Sequence, residues 1–139
     1  MKKQMLLPLL AMMLLAAGSL SAQISGAVKA TVPFDFTAGS ISLPAGEYQI
    51  ASSKHPGNLV LRGEGSSSGM FIGSNAAQAN AVAQSTKLMF HRYGDRYFLY
   101  QLWVQGENRG SELPMTKLEK ELRASNARPS SVAILASRK

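Results

Sequence analysis

The chain has no cysteine, only two histidines and a single tryptophan in 139 residues. Without cysteine there is no disulfide staple, no thiolate nucleophile and no lipid attachment of the lipoprotein type. Packing alone must hold the fold. Histidine chemistry is almost as restricted. His55 precedes Pro56 in a turn, and His91 has no second histidine two residues on, so a metal site would have to borrow distant carboxylates. One-sided charge is also missing from the body. Between Gln23 and Thr116 there are seven Lys/Arg and six Asp/Glu, whereas from Lys117 onward there are six Lys/Arg and two Glu. A nucleic-acid reader carries its basic face on the folded body, so this distribution argues against nucleic acid as a partner. No cofactor fingerprint is present. RGEGSSSG (Arg62 to Gly69) looks like a phosphate loop, but the spacing is wrong for G-x-G-x-x-G and no helical pattern follows.

What is present begins with a leader. Lys2 and Lys3 precede an uncharged run, MLLPLLAMMLLAAGSL (Met5 to Leu20), and then the small residues Ser21 and Ala22. A basic start, an apolar middle and a small-residue end make the layout of a secretory signal peptide. Its strongly apolar part is roughly 12–15 residues, short of the ~20 that a spanning helix needs. Pro8 further weakens it as a regular helix. The alternative is an uncleaved anchor. The expectation is residues 1–22 as a signal peptide and residues 23–139 as one exported β-rich domain, periplasmic or extracellular. Loss of Lys2 and Lys3 lowers the formal charge from +7 to +5. A domain of this size buries roughly two-thirds of its surface, enough for one core.

The rest reads mainly as strands. AVKATVPFDFT (Ala27 to Thr37) places Val32, Phe34 and Phe36 on one face, a period of two. Pro33 cannot donate to a ladder, which puts that strand at an edge or starts it there. LPAG (Leu43 to Gly46) and HPGN (His55 to Asn58) are turns. EYQIAS, NLVLR and GMFIG are short strands between them. SNAAQANAVAQS (Ser74 to Ser85) has no wide apolar stripe and reads as a small-residue loop with at most one helical turn. Thr116 and Glu119 match a capping box, which predicts a short helix over 116–125 with Leu118 and Leu122 as its narrow stripe. Glu119 and Arg123 are spaced to pair on it. SVAILAS (Ser131 to Ser137) reads as the last strand. The fold class expected is mainly β: a small antiparallel β-sandwich or open barrel of about seven strands with one short C-terminal helix. Several runs are shorter than the ~9–11 residues of a membrane-spanning strand.

Six of the ten aromatic residues lie in LMFHRYGDRYFLYQLW (Leu88 to Trp103), and none follows it. Gly94-Asp95 predicts a type II′ hairpin turn, which makes Tyr93 face Arg96, Arg92 face Tyr97 and Phe90 face Leu99. An unbroken register then gives one face of Leu88, Phe90, Arg92, Tyr97, Leu99, Gln101 and Trp103. This is the better core pattern, with Arg92 stacked on Tyr97. The other face carries Met89, His91, Tyr93, Arg96, Phe98, Tyr100, Leu102 and Val104. There His91, Tyr93, Arg96 and Tyr100 form the candidate ligand-binding set, because rings with polar tips suit a sugar or peptide. The plainer reading is that they cover the sheet and keep their tips wet. Asp35 and Glu47 flank a short connection and are the candidates for paired-carboxylate hydrolysis. Asp35 also reads simply as the outward partner of Phe34 and Phe36.

VPFDF (Val32 to Phe36), LPAGEY (Leu43 to Tyr48) and the RYGDRYFL hairpin together resemble a family of small exported bacterial proteins without an assigned activity. The resemblance covers most of residues 29 to 136 and implies one exported β-rich domain. It transfers no catalytic or ligand residue. The expected function is therefore non-enzymatic, by binding or structural association. The alternative is a binder or carrier of a small apolar or carbohydrate ligand on the aromatic hairpin face. The third reading is a hydrolase using Asp35 or Glu47. No cofactor or metal is expected, and the partner is an unspecified protein, small molecule or carbohydrate.

Overall fold

Alternation of apolar and polar residues drives most of the chain into short strands that hide one face each. The structure is a computed structural model that describes residues 27–53, 55 and 57–138. The expected leader lies outside the described residues. Twelve strands are found among those described: β1 (Val28–Val32), β2 (Phe36–Ala38), β3 (Ile41–Leu43), β4 (Gly46–Ser52), β5 (Asn58–Gly63), β6 (Met70–Gly73), β7 (Asn75–Gln78), β8 (Lys87–Tyr93), β9 (Arg96–Trp103), β10 (Arg109–Glu112), β11 (Ser130–Leu135) and β12 (Ser137–Arg138). One helix, α1 (Lys117–Ala124), lies between β10 and β11. No helix among the described residues is long and apolar enough to cross a membrane.

The strands make two sheets. One has the order β12-β1-β4-β5-β6; the other has the order β11-β8-β9-β10-β7, with β2 paired parallel to β9 and antiparallel to β3. The sheets do not close into a barrel. They are nevertheless linked at both sides by single-residue corners. Ser74 carries the chain from β6 to β7, and Ala136 carries it from β11 to β12. Each corner is pinned by its own backbone N–H, Ser74 to the Gly57 carbonyl (2.8 Å) and Ala136 to the Thr86 carbonyl (2.9 Å). The fold is thus mainly β and sandwich-like, as the alternation predicts.

Several elements depart from the sequence reading. The expected single strand from Ala27 to Thr37 is two strands, because β1 ends before Pro33 and the chain crosses to the other sheet as β2. Pro33 therefore terminates a central strand, flanked by β12 and β4, and does not mark an edge. The expected loop at Ser74–Ser85 begins instead with a strand. Asn75–Gln78 pairs with Arg109–Glu112, an element that the alternation also missed. Small polar residues carry no apolar pattern, so only the presence of a ladder partner makes these segments strands.

The core lies between the sheets. Val28, Val32, Tyr48, Ile50, Leu59, Leu61 and Ile72 come from one side, and Phe36, Leu88, Phe90, Leu99, Leu102 and Leu113 from the other. Phe90 is fully buried, with Phe34 (5.0 Å) and Phe36 (5.5 Å) edge-on to its ring. Phe34 also stacks on Tyr97 at 3.7 Å, and the Arg92 guanidinium lies 5.5 Å from the Tyr97 centroid. The expected Arg92–Tyr97 contact therefore forms, on a ring that also stacks with Phe34.

Candidate functional site

The β8–β9 hairpin organises the site. Gly94 takes φ 59°, and among described non-glycine residues only Asn126 has a positive φ, so Asp95 does not. That combination makes the turn type II′. The pairs Tyr93–Arg96, Arg92–Tyr97, His91–Phe98 and Phe90–Leu99 follow as expected. Beyond them the register shifts at a β-bulge between Met89 and Phe90, so Met89 faces Gln101, Leu88 faces Leu102 and Lys87 faces Trp103. An extra residue reverses the faces of everything after it. Leu102 enters the core at 6% exposure, and Trp103 leaves it for the outer face. An unbroken register places these two the other way round, with Trp103 in the core and Leu102 outside.

The outer face of the hairpin turn is covered by α1. Thr116 caps the helix by accepting the Glu119 N–H at its hydroxyl (3.1 Å). The Glu119 side chain does not complete the capping box. It points at the sheet and is 3% exposed, the one residue of α1 that is buried, while Leu118 of the expected stripe is 43% exposed. The Tyr93 hydroxyl donates to Glu119 Oε1 (2.9 Å), and His91 Nδ1 lies 2.6 Å from the same oxygen. With Glu119 as a carboxylate, which only accepts, Nδ1 is the donor of this bond. Arg123 Nε donates to the Tyr93 hydroxyl (2.8 Å), so Glu119 and Arg123 are joined through Tyr93. At its far end α1 closes with Asn126 in the left-handed region (φ 66°). The Asn126 N–H bonds the Arg123 carbonyl and the Ala127 N–H bonds the Leu122 carbonyl.

Burial pushes the Tyr93 phenol above its ordinary value. The Arg123 hydrogen bond opposes this, and the Glu119 hydrogen bond and charge reinforce it. Arg123 is held still more firmly protonated, chiefly by its hydrogen bond to Tyr93. Tyr48, whose hydroxyl donates to the Pro44 carbonyl (2.5 Å), is also raised, first by burial and then by the charge of Asp35.

The structure divides the four candidate ligand residues. His91 and Tyr93 hold Glu119. Tyr100 stacks on the His91 ring at 3.6 Å, with its hydroxyl 3.4 Å from Ser131 Oγ on β11. Arg96 lies apart, at an open groove of about 520 Å³ that it shares with Asp35, Ser42, Leu43, Tyr97 and Leu118. The candidate carboxylates are not brought into contact. Asp35 accepts the Ala45 N–H (2.9 Å), and Glu47 lies 3.8 Å from Lys29 Nζ on the outer face of the other sheet. Among the described residues no group of three His, Asp or Glu side chains is gathered in a way that holds a metal ion.

Glu119, Arg123 and the outward Trp103 were the members that the sequence reading missed. The Glu119 signal in the sequence is that of a cap. The Trp103 signal needed the bulge.

No family model, no curated protein and no solved structure matches the chain. The fold and the hairpin surface therefore carry the functional reading alone.

Proposed function

We propose that the chain is an exported, non-enzymatic β-rich domain that acts by binding or structural association. The leader-like start at Lys2–Ala22 motivates export. The observation that favours association over catalysis is how the reactive side chains are used. His91, Tyr93 and Glu119 hold the helix on the hairpin, and Asp35 holds the turn at Ala45. His91, Tyr93 and Glu119 are thereby committed to holding α1 on the sheet, which favours a structural role for them.

A second reading, a small-ligand or carbohydrate binder, is favoured by the bulge. It leaves Tyr100, Gln101 and Trp103 partly exposed on the outer face of β9. Flat side chains with polar tips suit ligands that need both stacking and hydrogen bonds.

The test is incubation of the exported protein with panels of glycans and peptides, read by mass spectrometry alongside a mass of the mature chain. Retention of an unaltered ligand and a start near Gln23 support the reading. Turnover of any panel member, or a mature chain still beginning at Met1, contradicts it.

A further inference from the structure

We propose that Trp103 is a stacking platform for a pyranose sugar ring, at a groove between β9 and the segment 79–85. The inference rests on the binding reading above and names its ligand class.

Four observations assemble the platform. First, the bulge places Trp103 on the outer face of β9 and outside the core. Second, its neighbour across the ladder is Gly110, and the indole lies against that glycine. A Cβ there would meet the Trp103 ring at 2.8 Å and the Leu102 carbonyl at 2.6 Å. The ring thus rests on bare backbone on one side. Third, Trp103 Nε1 donates to Gln101 Oε1 at 3.0 Å, which fixes the rotation of the indole. Fourth, one wall of the groove is held in place by the turn after β9. Ala79 N–H bonds the Asn108 carbonyl (2.8 Å), Ala83 N–H bonds the Glu107 carbonyl (2.9 Å), and Gly106 N–H bonds the Ala83 carbonyl (2.9 Å). A wall fixed before the ligand arrives loses little entropy when the ligand binds.

The groove has a volume of about 420 Å³, within the range of small-molecule sites. Its lining names the ligand class. Trp103 and Val82 offer apolar surface, while Gln84, Ser85 and Lys87 offer polar tips around it. A sugar ring has the matching halves, a face of C–H groups that stacks on an aromatic plane and a rim of hydroxyls that needs hydrogen bonds. A purely apolar ligand would contact Trp103 and Val82 but gain nothing from Gln84, Ser85 and Lys87, which keep their water. An anion would find one lysine and no second cation in the lining.

Trp103 is the sole tryptophan, so its emission reports its own site. The exported protein is titrated with hexasaccharides of glucose, N-acetylglucosamine and mannose. At least one is expected to give a saturable change in emission. Calorimetry with the same sugar on Trp103→Ala is expected to show at least tenfold weaker binding, and on Trp103→Phe an intermediate loss. Phe71→Ser, at an exposed position of the other sheet, is expected to bind as the parent does. Melting curves establish that each variant is folded, and Trp103→Phe carries the test if Trp103→Ala is not. No emission change with any sugar overturns the proposal. Binding that persists undiminished in Trp103→Ala also overturns it, while leaving the binding reading in place. Hydrolysis of the sugar would instead contradict the non-enzymatic reading.

Discussion

His91 Nδ1 and Glu119 Oε1 lie 2.6 Å apart, joining the middle of β8 to the first turn of α1 across 28 residues of sequence. A helix of eight residues does not persist alone in water. Here it is held by a buried carboxylate and not by a leucine stripe. Burying a carboxylate is costly unless hydrogen bonds compensate it, and Tyr93 and His91 supply them.

Removing the Tyr93 hydroxyl therefore affects both ends of the helix contact. Tyr93→Phe deprives Glu119 of a donor and Arg123 of an acceptor, with an expected cost of about 1–3 kcal/mol. Denaturant unfolding of parent and variant measures it. An equal midpoint would show that the network contributes nothing to stability.

Alkaline pH acts on the same group. The phenols of Tyr93 and Tyr48 are both raised in the folded chain, chiefly by burial. An acid whose folded value is raised contributes its stability in full below its unfolded value, about 10 for tyrosine. That contribution is lost as pH climbs through the folded value. Melting temperature is expected to fall above about pH 10, and the fall is expected to be shallower in a Tyr48→Phe, Tyr93→Phe double variant. Thermal melts across that range check the slope.

Phe90 is the centre of the core. It is fully buried between the sheets, with Phe34 and Phe36 edge-on to it. Phe90→Ala is expected to cost about 3–5 kcal/mol, the range for a large aromatic truncated in a core. Equilibrium unfolding measures it, and a loss under about 1 kcal/mol would place Phe90 outside the core.

The C-terminal segment completes both sheets. β11 pairs with β8 from Ser130 to Leu135, and β12 pairs with β1 at Ser137 and Arg138. Deleting Thr116 to Lys139 removes α1 and exposes two strand edges. The truncated chain is expected to lose its cooperative melting transition. An unchanged transition would make the segment an appendage.

Much of this was legible because local chemistry dictated it. Period-two runs at Glu47–Ser52 and Thr86–Tyr93, Gly94 at the hairpin and Thr116 at the helix start each form the element they predict. What was not legible depends on distant partners. Asn75–Gln78 and Arg109–Glu112 have no apolar signature and are strands because of their ladders, Arg109–Glu112 along β9 and Asn75–Gln78 along β10. Glu119 reads as a cap until Tyr93 and His91 are placed opposite it. A one-residue bulge leaves no mark in composition, yet it exchanges Leu102 and Trp103 between the core and the outer face.

The bulge is the point on which the hairpin surface turns. Cross-strand nuclear Overhauser contacts in isotopically labelled protein test it directly. The bulged register puts Leu88 opposite Leu102 and Met89 opposite Gln101, so contacts between those pairs are expected. Contacts from Leu88 to Gln101 instead would mean an unbroken register, with Trp103 in the core and no platform on the outer face.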